Sequence, residues 1–86
     1  MSIDASQVQK ALEERLEASD VEVVDTSGGC GAAFEVYVVS QKFEGKKVLE
    51  RHRMVKSALE EEMKVIHALS IKRTWTPQQK LEKEGN

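Results

Sequence analysis

The clearest strand pattern lies in the middle of the chain, and the other elements are predicted from the sequence on either side of it. It reads Phe34-Glu35-Val36-Tyr37-Val38-Val39. Apolar residues recur at every second position, at Phe34, Val36 and Val38, which predicts a strand with one buried face.

The sequence before this strand predicts a second strand and a helix. Residues 26–31 form a loop with three glycines, and the β-branched run Val21–Asp25 precedes it. We expect the two strands to pair antiparallel across the loop. An amphipathic helix is predicted from about Asp4 to Ala18, with Asp4 and Gln7 as a capping pair. Its apolar face consists of Val8, Ala11, Leu12 and Leu16.

The sequence after the central strand predicts a basic loop, a helix, a third strand and a short terminal helix. The helix reaches about Lys64 and has a possible break near Arg51–Arg53. In the third strand Leu69, Ile71 and Trp75 alternate with more polar residues. Thr76-Pro77-Gln78-Gln79 then provides an N-cap, a proline at the first helical position and a capping-box glutamine.

The predicted order is α-β-β-α-α-β-α, an α+β fold with helices packed on a three-stranded mixed sheet. Residues 1–86 are expected to form a single domain, since the chain has room for one hydrophobic core. A helical crossover joins the second and third strands, so these strands should run parallel. This places His67, at the start of the third strand, at the same edge as Cys30, in the glycine loop.

Composition excludes several classes of protein. Hydrophobic residues make up 40% of the chain and charged residues 33%, which is typical of a small folded domain. Cys30 is the only cysteine, so an internal disulfide and a dithiol redox mechanism are both excluded. No nucleophile motif, phosphate loop or pair of carboxylates indicates an enzyme. No apolar run spans a membrane, and the first residues do not resemble a signal or transit peptide.

Charge is distributed unevenly along the chain. The net charge is −2, yet residues 1–40 carry eight acidic and two basic residues. The densest basic stretch, from Lys42 to Lys56, has six basic residues and two acidic ones. It is either a solvated helix face or a surface that binds phosphates or an acidic protein. Its candidate contact residues are Lys46, Lys47, Arg51 and Arg53.

Three residues are candidates for metal chemistry or its support. Cys30 is either an incidental surface cysteine or, as thiolate, a metal ligand. His67 is either a junction residue bonded to a helix end or an imidazole ligand. Together they would make half of a four-ligand site for zinc or an iron–sulfur centre. His52 shares a helical stripe with Val48 and Val55, so we expect a structural, inward-facing imidazole with a hydrogen bond.

The stretch from Phe43 to Ile71 resembles the BolA family signature. The block Phe43-Glu44-Gly45-Lys46-Lys47 is followed by Arg51-His52-Arg53-Met54-Val55 and later by Ile66-His67-Ala68-Leu69. The similarity extends from the first helix to Thr76-Pro77, and the loop around Cys30 is similar to that of the cysteine-loop branch. The start of the chain suits the cytoplasmic and nuclear members of that branch.

This resemblance implies a KH-like fold and a partnership with monothiol glutaredoxins that carry a Cys-Gly-Phe-Ser site. A [2Fe–2S] cluster would bridge the two proteins, with a glutaredoxin cysteine and glutathione on one iron. The residues matching the family's remaining ligands are His67 and Cys30. The isolated protein is expected to hold no cluster, and the implied roles are iron sensing and cluster trafficking or maturation.

The alternative hypothesis is a nucleic-acid-binding regulator, since KH-like folds bind nucleic acid. The basic loop contains only Gly45, whereas KH domains clamp the nucleotide backbone with a G-x-x-G loop. The acidic net charge also weakens binding driven by phosphates.

Overall fold

The computed structural model describes residues 3–28 and 33–84. They form the elements α1 (Ala5–Arg15), β1 (Asp20–Asp25), β2 (Ala33–Val39), α2 (Val48–Ala58), β3 (Ala68–Trp75) and α3 (Pro77–Glu84). The predicted α+β class is confirmed. The predicted position of the helix break is wrong, because α2 runs unbroken through Arg51–Arg53. Its continuation is a single 3-10 turn at Glu62–Lys64.

The sheet has the order β1-β2-β3, with β2 in the centre. β1 and β2 are antiparallel, with Val23 opposite Val36. β2 and β3 are parallel, with Ala33 opposite Ala68. Both pairings agree with the sequence prediction, and the crossover through α2 explains the parallel one.

A β-bulge in β3 changes which residues face the core. Ile71 lies opposite Val36, but Arg73 lies opposite Tyr37, so Lys72 is an extra residue in β3. One extra residue moves all later side chains to the other face. Thr74 is therefore buried, while Trp75 lies on the outer face with Arg73. The alternation of Leu69, Ile71 and Trp75 in the sequence therefore does not place Trp75 on the same face as Ile71.

The core lies between the inner face of the sheet and the helices α1 and α2. The central strand contributes Val36 and Val38, neither of which is exposed to solvent. The helices contribute fully buried side chains at Val8, Leu12, Val55 and Leu59. The predicted buried faces of the central strand and of the first helix are thus confirmed.

The ends of α1 are defined by local hydrogen bonds. The predicted capping box is present, since the Gln7 N–H donates to the Asp4 carboxylate at 2.9 Å and the Asp4 N–H donates to Gln7 Oε1 at 2.9 Å. Glu17 has a φ of 49°, and the Ala18 N–H donates to the Glu13 carbonyl at 3.2 Å. This left-handed ending stops α1 at Arg15, three residues before the predicted boundary.

Helix α3 is attached to the sheet by polar contacts, and none of its residues is buried. The Gln79 N–H donates to Thr76 Oγ1 at 3.1 Å, which confirms the predicted N-cap. Lys80 lies 3.4 Å from Asp20 and 3.2 Å from Glu84, and Arg73 lies 3.2 Å from Glu84. The helix therefore lies against the outer face of the sheet.

Candidate metal-ligating edge and basic surface

His67 directly precedes β3, between the 3-10 turn Glu62–Lys64 and Ala68. Its side chain is exposed, while Ile66 before it is buried and anchors this junction in the core. Ala68 pairs with Ala33, so His67 lies at the end of the sheet where β2 begins. An exposed imidazole on an anchored backbone is suited to bind a metal brought by another molecule.

Cys30 lies outside the described residues, so its role stays a prediction. The part of the edge that the structure describes agrees with the predicted topology, since the Thr26 N–H donates to the Ala33 carbonyl at 2.9 Å. This bond closes the base of the loop that contains Cys30 in sequence. The start of β2 and the start of β3 therefore lie side by side, as predicted.

The donor set fits a shared metal centre better than a self-contained one. Within residues 3–28 and 33–84, no three histidine, cysteine, aspartate or glutamate side chains are grouped to hold a metal ion. A four-coordinate ion bound to His67 would thus take at least two ligands from outside these ranges. The exposed His67 imidazole nevertheless fits one ligand position of a [2Fe–2S] cluster.

His52 does not have the surroundings that its helical stripe predicts. Val48, one turn earlier, is 63% exposed, and only Val55 and Leu59 of the stripe are buried. His52 itself is half-buried and lines a depression between α2, β3 and α3. No hydrogen bond of His52 is found among the described residues, and its predicted structural role stays a prediction. Val48 and Leu49, at the start of α2, are both 63% exposed, so the first turn of the helix is not covered by the core.

Arg51 binds within the protein instead of lying free on the basic surface. Its Nε donates to the Lys46 carbonyl at 2.8 Å, and its Nη1 donates to the Thr74 carbonyl and to Gln79 Oε1, both at 2.7 Å. Its guanidinium also lies 5.8 Å from the centre of the Phe43 ring. The Arg51 side chain thus connects α2 to the loop at Lys46, to β3 and to α3. We therefore assign Arg51 mainly to the stability of the fold.

The other three basic candidates are exposed. Lys46 and Lys47 lie just before α2, and Arg53 lies within it, beside a depression that Arg15 also lines. Gly45 has a φ of 77° and the Lys46 N–H donates to the Phe43 carbonyl at 3.0 Å, which is the pattern of a type II turn. A Cβ at Gly45 would meet no atom within 4 Å, so the backbone conformation alone requires glycine here. This turn presents Lys46 and Lys47 to solvent.

Sequence analysis missed two polar residues that hold these elements together. The Ser40 hydroxyl is buried, donates to the Leu16 carbonyl at 2.6 Å and accepts from the Lys42 N–H at 3.1 Å. Arg15 donates to the Ala58 carbonyl at 2.6 Å and to the Glu62 carboxylate at 2.7 Å. The hydrogen bond and charge of Glu62 raise the pKa of Arg15. The Leu16, Ala58 and Glu62 partners lie 24, 43 and 47 positions away, so no local sequence signal identifies these contacts.

Comparison with known proteins identifies the family. The family model for BolA-like proteins matches residues 12–79. The chain is 61% identical to Protein BOLA2 of Arabidopsis thaliana over 77 residues, covering 90% of this chain and 83% of that protein. It is 48% identical to human BolA-like protein 2 over 80 residues, covering 92% of each chain.

Solved structures agree with this relationship. A Bol-like protein from Babesia bovis superimposes with a TM-score of 0.85 at 43% identity, covering 100% of this chain and 98% of the other. Among the described helices, none is long and apolar enough to cross a membrane. The signature around the Phe43 turn and His67, the mixed sheet and these matches lead to one conclusion: the chain belongs to the BolA-like protein family.

Proposed function

We propose that this chain is a binding partner of monothiol glutaredoxins and that the two proteins hold a [2Fe–2S] cluster between them together with glutathione. The role is binding without catalysis, in iron sensing and in cluster trafficking or maturation, in the cytoplasm and nucleus. The observation that carries the proposal is the exposed His67 imidazole at the start of β3, in a chain of the BolA-like family.

The chain's own residues would contribute in two ways. His67 supplies a nitrogen ligand on a backbone fixed by the buried Ile66 and by the pairing of Ala68 with Ala33. Cys30 supplies a thiolate from the glycine loop. When bound, the cluster supplies two irons whose spectrum and potential depend on whether their ligands are imidazole or thiolate. The glutaredoxin cysteine and glutathione complete the ligand set.

Co-expression with a Cys-Gly-Phe-Ser glutaredoxin tests this proposal. The purified complex should contain iron, sulfide and glutathione, and the chain expressed alone should contain neither iron nor sulfide. His67→Ala should shorten the lifetime of the cluster, and His67→Cys should shift its circular dichroism towards that of an all-thiolate centre. Cys30→Ala should have a smaller effect than His67→Ala.

His52→Ala is the matched control, because His52 lies on another element and lines a different surface. It should leave the spectrum and lifetime of the cluster unchanged. If His67→Ala behaves as wild type while His52→Ala loses the cluster, the ligand is assigned to the wrong histidine.

The nucleic-acid alternative receives less support from the described surface. The Phe43–Lys46 segment is one tight turn with a single glycine, and Glu44 and Glu50 lie close to its lysines in sequence. Tight, sequence-dependent binding of DNA or RNA by the chain alone, with a steep salt dependence, would favour this alternative.

A further inference from the structure

A depression with a cavity volume of about 310 Å³ lies beside β3, between the start of α2 and helix α3. Among residues 3–28 and 33–84, no carboxylate side chain lines it, although the whole chain is acidic. It is lined by cationic, imidazole and indole side chains, chiefly Arg51, His52, Lys72, Arg73, Trp75 and Lys83.

The β-bulge contributes to this concentration of charge. Consecutive residues of a regular strand point to opposite faces, yet Lys72 and Arg73 both line the depression. The irregular register at Lys72 accounts for this. At the other wall, Lys83 lies 5.5 Å from the Trp75 ring centre, on which the Arg73 guanidinium also stacks at 4.0 Å.

Carboxylates at the margin neutralise only part of this charge. Glu35 lies 4.0 Å from Lys72, and Glu84 lies 3.2 Å from Arg73. Arg51 and Lys83 have no carboxylate within 4.0 Å among the described residues. Four cations against two carboxylates leave an excess of two positive charges, which suits a ligand with about two negative charges.

We propose that this depression binds a short acidic segment of a partner protein through its carboxylate side chains. Guanidinium and ammonium groups bind carboxylates strongly when the pairs are partly shielded from water, as they are in a depression. We do not expect the partner segment to bind as an additional β-strand beside β3. The bulge interrupts the hydrogen-bonding edge of β3, and the Thr74 carbonyl already accepts a hydrogen bond from Arg51.

The surroundings favour an acidic peptide over a nucleic acid. The neighbouring depression on one side contains Glu44 and Glu82, and the one on the other side contains Asp20, Glu22 and Glu84. A phosphate backbone longer than the depression would meet these carboxylates. The Trp75 ring is also already stacked by Arg73, which leaves less of it for a base.

The proposal is independent of the glutaredoxin proposal. His67 lies at the opposite end of β3, five residues before Lys72 and eight before Trp75. At about 3.3 Å per residue, these separations are roughly 17 Å and 26 Å along the strand. A partner could therefore occupy one surface without the other.

Fluorescence of Trp75, the only tryptophan in the chain, reports binding directly. A short end-blocked peptide of alternating glutamate and serine should change this fluorescence with saturation at low salt. The same peptide with glutamine in place of glutamate should not. Lys72→Gln combined with Lys83→Gln should raise the dissociation constant by about three- to tenfold, as expected for two partly exposed ion pairs.

Lys10→Gln combined with Lys56→Gln is the matched control, since it removes two exposed lysines outside the depression. It should change the dissociation constant by less than about twofold. Equal losses in both double variants, equal binding of the glutamine peptide, or no saturable change would overturn the proposal. Tighter binding of a short oligothymidylate than of the glutamate peptide would overturn it in favour of a nucleic acid.

Discussion

The two histidines differ in exposure, and their contributions to stability should differ accordingly. His67 is exposed, so His67→Ala should change the free energy of unfolding by less than about 0.5 kcal/mol. His52 is half-buried but makes no hydrogen bond to a described residue, so His52→Ala should cost about 1 kcal/mol or less. A buried, bonded ring would cost about 1–3 kcal/mol. Urea unfolding of both variants measures the difference, and a loss above about 2 kcal/mol for His52→Ala would contradict the assignment.

Arg51 and Arg53 are close in sequence but differ in their contacts. Arg51→Ala removes three hydrogen bonds to Lys46, Thr74 and Gln79, and should lower the free energy of unfolding by about 2–4 kcal/mol. Arg53→Ala is the control, because Arg53 is exposed, and it should cost less than about 0.5 kcal/mol. Chemical denaturation measures both. Equal stability of the two variants would show that the Arg51 contacts contribute little in solution.

Helix α3 depends on its cap, because none of its side chains is buried. Thr76→Ala removes the hydroxyl that accepts from the Gln79 N–H and should cost about 1 kcal/mol. The loss should be local: amide hydrogen exchange should accelerate across residues 78–84 while β2 keeps its protection. Ser57→Ala, at an exposed position of α2, should leave the exchange of α3 unchanged. A uniform acceleration of hydrogen exchange throughout the chain would contradict local unfolding of α3.

The cap of α1 makes stability depend on pH. The Asp4 carboxylate accepts hydrogen bonds from the Gln7 N–H and the Ser6 hydroxyl, and these bonds lower the pKa of Asp4. A carboxyl whose pKa is lower in the folded state stabilises the fold above its unfolded pKa, near 4, and loses this effect as pH falls through the folded pKa. Asp4→Asn keeps a capping oxygen but cannot ionise. Its stability should therefore fall less than that of wild type below about pH 4, as followed by thermal unfolding. If wild type and Asp4→Asn lose stability equally as pH falls, ionisation of Asp4 does not contribute to the pH dependence.

Across the whole molecule, the exposed lysines before α2 should affect the rate of partner binding. Lys46→Glu combined with Lys47→Glu should slow association with a monothiol glutaredoxin at low salt, because long-range attraction raises association rates. The difference should shrink as salt screens the charges. Stopped-flow or surface-plasmon measurements give the rate. Lys10→Glu combined with Lys83→Glu has the same net charge and changes two exposed lysines outside the Lys42–Lys56 stretch. An equal slowing in that control would exclude a localised surface.

The sequence alone was sufficient for the elements whose signals lie within a few residues of one another. The alternation in β2, the Asp4–Gln7 and Thr76–Gln79 capping pairs and the parallel crossover were predicted and are present in the structure. These features depend on side-chain period and on hydrogen bonds between near neighbours, which can be recognised in a linear sequence. The family signature around the Phe43 turn and His67 was equally recognisable.

Contacts between distant residues decided the rest. Arg51 binds partners 23 and 28 positions away, so its sequence position within a basic stretch did not indicate these structural contacts. The extra residue Lys72 moved Trp75 to the outer face and gathered cations beside it. Strand register and long-range hydrogen bonds are determined by packing against the whole sheet. The backbone of a single strand can adopt either register with little difference in energy. The basic depression beside β3 therefore exists only in the folded molecule.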